Sequence, residues 1–148
     1  MANKSKARGT SFETAVARWL RLALDEPTIE RRALHGAHDM GDLYGIYAHD
    51  LAGIAECKNY KRYGRADVEE WRRQTLAERD NADADFGLLV IHSPGAGQKG
   101  FGRNRVDVTQ RDLARISGLG DPPTWADEAW VTLDLETAAT LMRGDLRA

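Results

Sequence analysis

The chain has 148 residues, of which 42% are hydrophobic, 30% charged and 7% aromatic, a mixture that indicates one globular domain and excludes collagen-like, low-complexity and wholly disordered chains. Its formal net charge of -2 argues against indiscriminate binding to nucleic acids through bulk charge. The apolar run at 88–91 is far too short to span a bilayer, and no apolar signal core follows the charged start. We therefore expect a cytoplasmic protein with no membrane partner.

The cysteine content limits the redox and metal chemistry. Cys57 is the only cysteine, so the chain cannot form an intrachain disulfide and has no cysteine pair for a structural zinc site. A bound metal ion is therefore expected to have oxygen or histidine ligands.

The hydrophobic pattern of the first two thirds predicts two helices and four strands. An apolar stripe predicts a helix over 10–24, and a mixed β pattern predicts a first strand over 29–35. Two strands over 42–47 and 53–58 are separated by a polar turn, which indicates a hairpin. An acidic start predicts a helix over 67–80, and the apolar run over 86–92 indicates a strand that is covered on both faces.

The last third predicts shorter elements: a strand over 106–108, a helix over 110–116, a strand over 130–133 and a helix over 135–143. The whole order predicts an α/β fold, with a mixed central sheet flanked by helices in one domain over 1–148. We expect a flexible basic arm over 1–9 and a glycine-rich basic loop over 93–105. That loop matches the spacing GxGxxG at 95–100, but a loop and a strand are predicted after it instead of a helix, which argues against a dinucleotide site.

The strand over 53–58 ends in an acid and a lysine with one residue between them. Because side chains alternate across a strand, Glu56 and Lys58 share one face, as they would also do in a simple salt bridge. A hairpin centred on His49 places Asp42 opposite Glu56. Carboxylates about 4.5–5.5 Å apart across a ladder repel each other unless they share a cation or a proton. This pairing suits Mg²⁺, whereas the alternative is that Asp42 only serves the turn after Gly41.

Three further side chains offer chemistry near the same sheet edge. Glu13 has two interpretations: with Thr10 it fits a capping box, and it could also supply a third carboxylate to a metal ion. Arg31 and Arg32 would present guanidinium groups at this edge, or they are solvated strand charges.

Basic residues cluster in two places. One cluster forms the start of the chain, where Lys4, Lys6 and Arg8 precede the first acid, and these side chains either neutralise DNA phosphates or lie on a solvated terminus. The other lies beside the predicted site and either contacts phosphates or pairs with nearby acids; its members are Lys58, Lys61, Arg62, Arg65, Arg72 and Arg73. Tyr60 and Tyr63 stand among them and could stack on exposed bases, or they pack in the core or lie on the surface.

Taken in chain order, these residues resemble the PD-(D/E)XK, or restriction-endonuclease-like, nucleases. The resemblance is carried by Glu13, Arg31-Arg32, Gly41-Asp42-Leu43, Ile54-Ala-Glu56-Cys-Lys58 and Gln74. Within that superfamily the chain is most similar to archaeal-type and phage Holliday junction resolvases, over residues 4 to about 92. Met40-Gly41 stands where the family usually has a proline before the first aspartate.

The resemblance implies a metal-dependent endonuclease that cuts branched DNA in a bacterium or a phage-infected host. Asp42 and Glu56 would bind Mg²⁺ or Mn²⁺, Glu13 would support the ion, and Lys58 would orient the attacking water or stabilise the charge of the phosphorane. Gln74 and one of the two arginines would contact the scissile region. A homodimer is expected, because resolving a four-way junction needs two symmetric cuts. The alternatives are a restriction or repair nuclease of the same fold that acts on duplex DNA, and a noncatalytic DNA-binding protein.

Overall fold

The fold is known from a computed structural model, which describes residues 4–33, 39–123, 126–127 and 129–144. Within these ranges, four α-helices and six strands follow one another. Their order is α1 (Lys4–Leu24), β1 (Glu30–Arg31), β2 (Leu43–Ala48), β3 (Leu51–Lys58), α2 (Arg65–Asn81), β4 (Phe86–Ile91), β5 (Arg105–Thr109), α3 (Gln110–Ile116), β6 (Trp130–Asp134) and α4 (Leu135–Arg143). A short 3-10 helix, Gln98–Arg103, lies between β4 and β5.

The six strands form one sheet in the order β1-β2-β3-β4-β5-β6. All neighbours are antiparallel except β3 and β4, which are parallel. A parallel pair needs a crossover connection, and α2 supplies it. The α/β class and the mixed sheet with flanking helices predicted from the sequence are thus confirmed.

The sheet has an apolar core on both faces. Every residue of β4 is buried, and alternate residues belong to different cores, as the two-residue period of a strand requires. Leu88 and Val90 join the larger core, which includes residues of α1 and α4. On the opposite face, Leu89 and Ile91 pack with Val68 and Trp71 of α2. The prediction of a central strand covered on both faces is confirmed, and α2 is fixed over the ends of β3 and β4.

The hairpin of β2 and β3 has a different centre from the predicted one, yet the predicted pairing near Asp42 is kept. Its turn consists of His49 and Asp50, which have φ angles of 50° and 66°, as in the two-residue turns that suit hairpin twist. The register then shifts between Leu43 and Ile46, so that Leu43 pairs with Ala55. The irregularity contains Gly45 at φ 77°, where a side chain would collide with the Thr28 carbonyl.

The N-terminal helix is longer than predicted. Residues 4–9 are the first turns of α1, so the expectation of a flexible arm over 1–9 is wrong for them, and residues 1–3 lie outside the described ranges. Thr10 consequently lies inside the helix, where its carbonyl accepts a hydrogen bond from the Thr14 hydroxyl at 2.9 Å. The capping-box interpretation of Glu13 is therefore wrong, because no helix starts at Thr10.

Two further boundaries differ from the predictions. The first strand is confined to Glu30–Arg31 instead of 29–35, of which 34–35 fall outside the described residues. The glycine-rich segment at 93–105 contains the 3-10 helix, which is followed directly by β5. No α-helix N-terminus therefore follows the GxGxxG spacing, in agreement with the rejection of a dinucleotide site. Among the helices that the structure describes, none has the length and hydropathy needed to cross a membrane.

Candidate active site

A cavity of about 600 Å³ opens where α1, the β1–β3 edge of the sheet and α2 meet. It brings together most of the residues that the sequence predicted for the site, and it adds others that the sequence did not. The predicted residues that line it are Lys6, Glu13, Arg31, Arg32, Asp42, Glu56, Lys58 and Gln74, and the additional ones include Asp39, Glu78 and Asn81.

The carboxyl of Asp42 is held next to that of Glu56. Asp42 stands just before β2, and its Oδ2 accepts a hydrogen bond from the Cys57 backbone N–H at 2.8 Å. The pKa of Asp42 is raised to about 8, chiefly by burial and also by hydrogen-bond contact with the Glu56 carboxyl and its charge, while the Cys57 N–H and Lys58 act in the opposite direction. The predicted juxtaposition of the two carboxyls across the hairpin is therefore present.

Glu56 is the centre of the carboxyl cluster. Its side chain is only 3% exposed, and burial raises its pKa to about 8, with Lys58 opposing the increase. It is in hydrogen-bond contact with Asp42 on one side and with Glu78 on the other. Two groups of acids thus meet at Glu56.

Asp39 and Glu78 form the group that sequence reasoning missed. One carboxyl oxygen from each of Asp39, Glu56 and Glu78 lies within 4.8 Å of the other two. Burial raises the pKa of Glu78 to about 7, and the charges of Asp39 and Asp42 contribute in the same direction. The Oε2 atom of Glu78 is buried and accepts no hydrogen bond from the described part of the chain.

The signal for Glu78 in the sequence was weak but present. Glu78 follows Gln74 by four residues, and residues at this spacing share one face of a helix. The predicted contact of Gln74 with the site therefore implied that Glu78 would lie nearby. Asp39 precedes Asp42 by three residues in a segment without a regular element, where no such periodicity applies.

Glu13 lies on the other side of Asp42. Its Oε2 accepts a hydrogen bond from Arg31 Nε at 3.0 Å, which forms an ion pair between α1 and β1. Burial and the nearby charge of Asp42 raise the pKa of Glu13, whereas Arg31 lowers it. Of the two interpretations from the sequence, proximity to the acidic site is the one that the geometry favours.

Lys58 and Arg32 are the cations that border the acids. Lys58 is half-buried in the cavity wall, with its Nζ 6.0 Å from the centre of the Trp71 ring. Arg32 places its guanidinium 4.6 Å from the centre of the Tyr44 ring, and its buried Nε donates to no acceptor among the described residues. Arg31 is instead engaged with Glu13, which separates the roles of the two arginines.

Only some of the remaining residues that were predicted to contact DNA line the cavity. Gln74 lines the cavity, but its Nε2 lies 3.4 Å from Glu70 Oε1. Lys61 and Arg62 are exposed in the loop after β3, and the side chain of Lys4 lies outside the described part. Arg65 pairs with Glu69 and Arg73 with Glu70, as the alternative interpretation held, whereas Arg72 pairs with Asp107 of β5.

The chemistry of this cluster suits a hard divalent cation. Five neighbouring carboxyls, from Glu13, Asp39, Asp42, Glu56 and Glu78, supply only oxygen ligands, as Mg²⁺ and Mn²⁺ prefer. The buried Glu78 oxygen without a donor is a free ligand atom. The residues present therefore fit such an ion, and Lys58 and Arg32 add positive charge beside it.

No family model, no curated protein and no solved structure matches the chain.

Proposed function

We propose that the protein is a metal-dependent endonuclease that hydrolyses phosphodiester bonds in branched DNA, as a Holliday junction resolvase does. The observation that carries this proposal is the cluster of carboxyls around Glu56 with Lys58 on its border, in a cavity open to solvent. Hydrolysis of a phosphodiester needs neutralisation of the developing negative charge and an activated water, and these groups suit both tasks.

Asp42 and Glu56 would hold the Mg²⁺ or Mn²⁺ ion, with Glu13 as support and with Asp39 and Glu78 as additional oxygen ligands. When bound, the ion supplies a Lewis acid that polarises the phosphoryl oxygen and lowers the pKa of water. The backbone N–H of Cys57 keeps the Asp42 carboxylate turned into the cavity. Arg31 fixes the position of Glu13 through their ion pair.

The side chains of the cavity wall would act on the phosphate. The Lys58 ammonium orients the attacking water or stabilises the charge that develops on the phosphorane. Arg32 also lines the cavity, and its guanidinium would donate to a phosphate oxygen bound there. Gln74 contributes a further polar contact to the scissile region.

The carboxyl cluster also argues against the noncatalytic alternative. A protein that only binds DNA gains affinity by placing cations against phosphates, whereas buried carboxyls beside the binding surface would repel them. The acids become useful once a divalent cation neutralises them. A nuclease therefore explains the cavity better than a binding module does.

The choice of branched DNA over duplex DNA rests on the resemblance to resolvases, and so does the homodimer, since one domain supplies one cleavage site and a four-way junction needs two symmetric cuts. A restriction or repair nuclease of the same fold would use the same chemistry on linear duplexes. The bacterial or phage-infected host cytoplasm belongs to the same proposal.

The test of catalysis is a strand-cleavage assay on a labelled four-way junction, with Mg²⁺ or with EDTA. We expect cleavage by the wild type only with the metal, and a loss of about 10²–10³-fold in rate for Lys58→Ala, the usual effect of removing one group that stabilises the transition state. Asp42→Asn should cut no faster than Lys58→Ala. Lys99→Ala is the matched control, since that lysine is exposed and lines neither this cavity nor the neighbouring pocket. Equal rates for wild type and Lys58→Ala would contradict the proposal.

A further inference from the structure

A second pocket adjoins the catalytic cavity on the side of the loop after β3. It has a volume of about 440 Å³, which is within the size range of small-ligand sites. Asn59 and Tyr60 line both the pocket and the cavity. A polymer bound at the carboxyl cluster could therefore continue into this pocket past Lys58 without leaving the surface.

The charged side chains that line the pocket are cationic. Arg8 of α1 and Lys61 contribute cationic side chains, and His92 contributes an imidazole. No acidic residue is among the described residues that line the pocket, although the chain carries 23 acids against 21 lysines and arginines. A locally positive site on a chain of net negative charge favours an anionic ligand such as a phosphate group.

The floor of the pocket is a fixed aromatic ring. The Tyr60 ring is stacked on Trp71, with the ring centres 5.3 Å apart and the planes at 21°. Trp71 is only 8% exposed and belongs to the core between α2 and the sheet, whereas Tyr60 is 48% exposed. One face of the Tyr60 ring is therefore supported from below, and the ring still offers surface to a ligand.

Tyr63 forms a wall beside this floor. Its ring is tilted by 53° against Trp71, with the centres 5.2 Å apart, and it is in hydrogen-bond contact with Arg105 of β5. Neither tyrosine is needed for the carboxyl chemistry. Supported aromatic rings next to cations are the combination that single-stranded nucleic acids bind, because every base has a face that can stack.

We propose that this pocket binds one unstacked nucleotide of a DNA strand, next to the phosphate that is cut, with its base on Tyr60 and its phosphate near Arg8 and Lys61. Bases in an intact duplex are stacked on both faces and cannot use such a ring. The pocket thus deepens the proposed function, on which it rests: it selects DNA whose bases are open at a branch point, fork or single strand.

The test is a binding measurement that needs no cleavage. A fluorescent single strand, and the same strand annealed to its complement, are titrated with the full chain in EDTA, where hydrolysis is blocked. We expect the wild type to prefer the single strand, and Tyr60→Ala to lose about 5- to 160-fold in affinity for it, since one stacked base contributes about 1–3 kcal/mol. Tyr60→Phe keeps the ring and should bind like the wild type.

Tyr47→Ala is the matched control, because Tyr47 is equally exposed, at 50%, but lies on β2 outside both pockets. A second readout uses a strand with one 2-aminopurine base. Its fluorescence should be quenched by the wild type and by Tyr60→Phe, and not by Tyr60→Ala. Quenching reports stacking itself. Quenching by Tyr60→Phe therefore shows that the aromatic ring at this position, and not the hydroxyl, stacks on the base.

The outcomes separate this inference from the nuclease proposal. If the wild type cuts DNA with Mg²⁺ but Tyr60→Ala binds single strands as tightly as the wild type, the nucleotide pocket is overturned and the nuclease stands. If Tyr60 controls single-strand binding and no DNA is ever cut, the pocket stands and the nuclease fails. Equal affinity of the wild type for single strand and duplex would also overturn the proposal of a nucleotide pocket. So would a Tyr60→Ala variant whose oligomeric state changes while its DNA binding does not.

Discussion

Glu78 distinguishes the two possible sets of metal ligands. The sequence predicted Glu13, Asp42 and Glu56, whereas the carboxyl oxygens that converge within 4.8 Å belong to Asp39, Glu56 and Glu78. Glu56 is common to both sets. Glu78 Oε2 is buried without a hydrogen-bond donor in the described residues. Burying its charged carboxylate therefore costs free energy of folding unless an ion or a proton neutralises it.

Glu78→Gln tests whether this carboxylate takes part in metal binding. Above about pH 8, where Glu78 and Glu56 are ionised, removing the charge of Glu78 relieves its repulsion from Glu56 and Asp39, so we expect the metal-free variant to melt there at a higher temperature than the wild type. Its affinity for Mg²⁺ should fall by about 10- to 100-fold, as measured by isothermal titration calorimetry. Glu69→Gln on the exposed face of α2 is the control. Unchanged Mg²⁺ affinity in Glu78→Gln would show that the ion uses only the set predicted from the sequence.

At the scale of elements, a buried ion pair connects α2 to α3 and thereby fixes the helix that carries Glu78. Arg79, the next residue, donates from Nη1 to both carboxylate oxygens of Asp112 at 3.2 and 3.1 Å. Asp112 also accepts a hydrogen bond from the Gly87 backbone N–H at 3.0 Å. One carboxylate therefore joins α2, α3 and β4.

Asp112→Ala should consequently destabilise the fold strongly. It leaves the Gly87 N–H without an acceptor and Arg79 without its main partner, a loss that costs about 3–5 kcal/mol when a buried pair is broken. Urea denaturation should show the corresponding decrease in the unfolding midpoint. Asp121→Ala, which removes an exposed partner of Arg115, should leave the midpoint nearly unchanged. Similar midpoints for the two variants would contradict the structural role of Asp112.

The part of the site that could be predicted from the sequence lies on one hairpin. Asp42, Glu56 and Lys58 are close in the chain, and the two-residue period of strands with a tight turn is enough to bring them together. The prediction of their pairing held although the turn was misplaced, because a register shift compensated for the error. The start of α1 was missed because its first turns carry polar residues without an apolar stripe.

The remaining acids depend on tertiary packing. Glu78 reaches Glu56 only because Val68 and Trp71 pack α2 against Leu89 and Ile91, and no local pattern encodes that arrangement. Asp39 lies in a segment without regular structure, where no periodicity is available. Sequence reasoning therefore found Glu13 and the two acids of the hairpin region, and missed those that the crossover helix and the loop contribute.

For the whole molecule, the carboxyl cluster links stability to pH and, in the proposed function, to metal binding. The pKa values of Asp42 and Glu56 are raised to about 8 and that of Glu78 to about 7, whereas in the unfolded chain these groups titrate near their ordinary values of about 4. Between about pH 4 and about pH 8 the folded protein thus holds protons that the unfolded chain releases. The stability of the metal-free protein therefore falls as the pH rises through this window.

Mg²⁺ must displace those protons, so its binding should strengthen with pH. We expect the metal-free melting temperature to decrease from about pH 5 to about pH 8, and the increase in melting temperature caused by Mg²⁺ to be larger at about pH 8 than at about pH 6. Thermal melts with Mg²⁺ or EDTA measure both effects. In Asp42→Asn the metal-free dependence should be shallower. An Mg²⁺ effect independent of pH would argue against a metal site at these carboxyls.

The most direct measurement is the cleavage of a synthetic four-way junction and of a linear duplex with the same sequence, in Mg²⁺, by the wild type and by Lys58→Ala. We expect paired nicks at symmetric positions in the junction, little cutting of the duplex, and neither product with the variant. Equal cutting of junction and duplex would keep the nuclease but contradict the choice of branched DNA. Absence of cutting in both substrates, with DNA still bound, would contradict the central claim that the carboxyl cluster is a nuclease site.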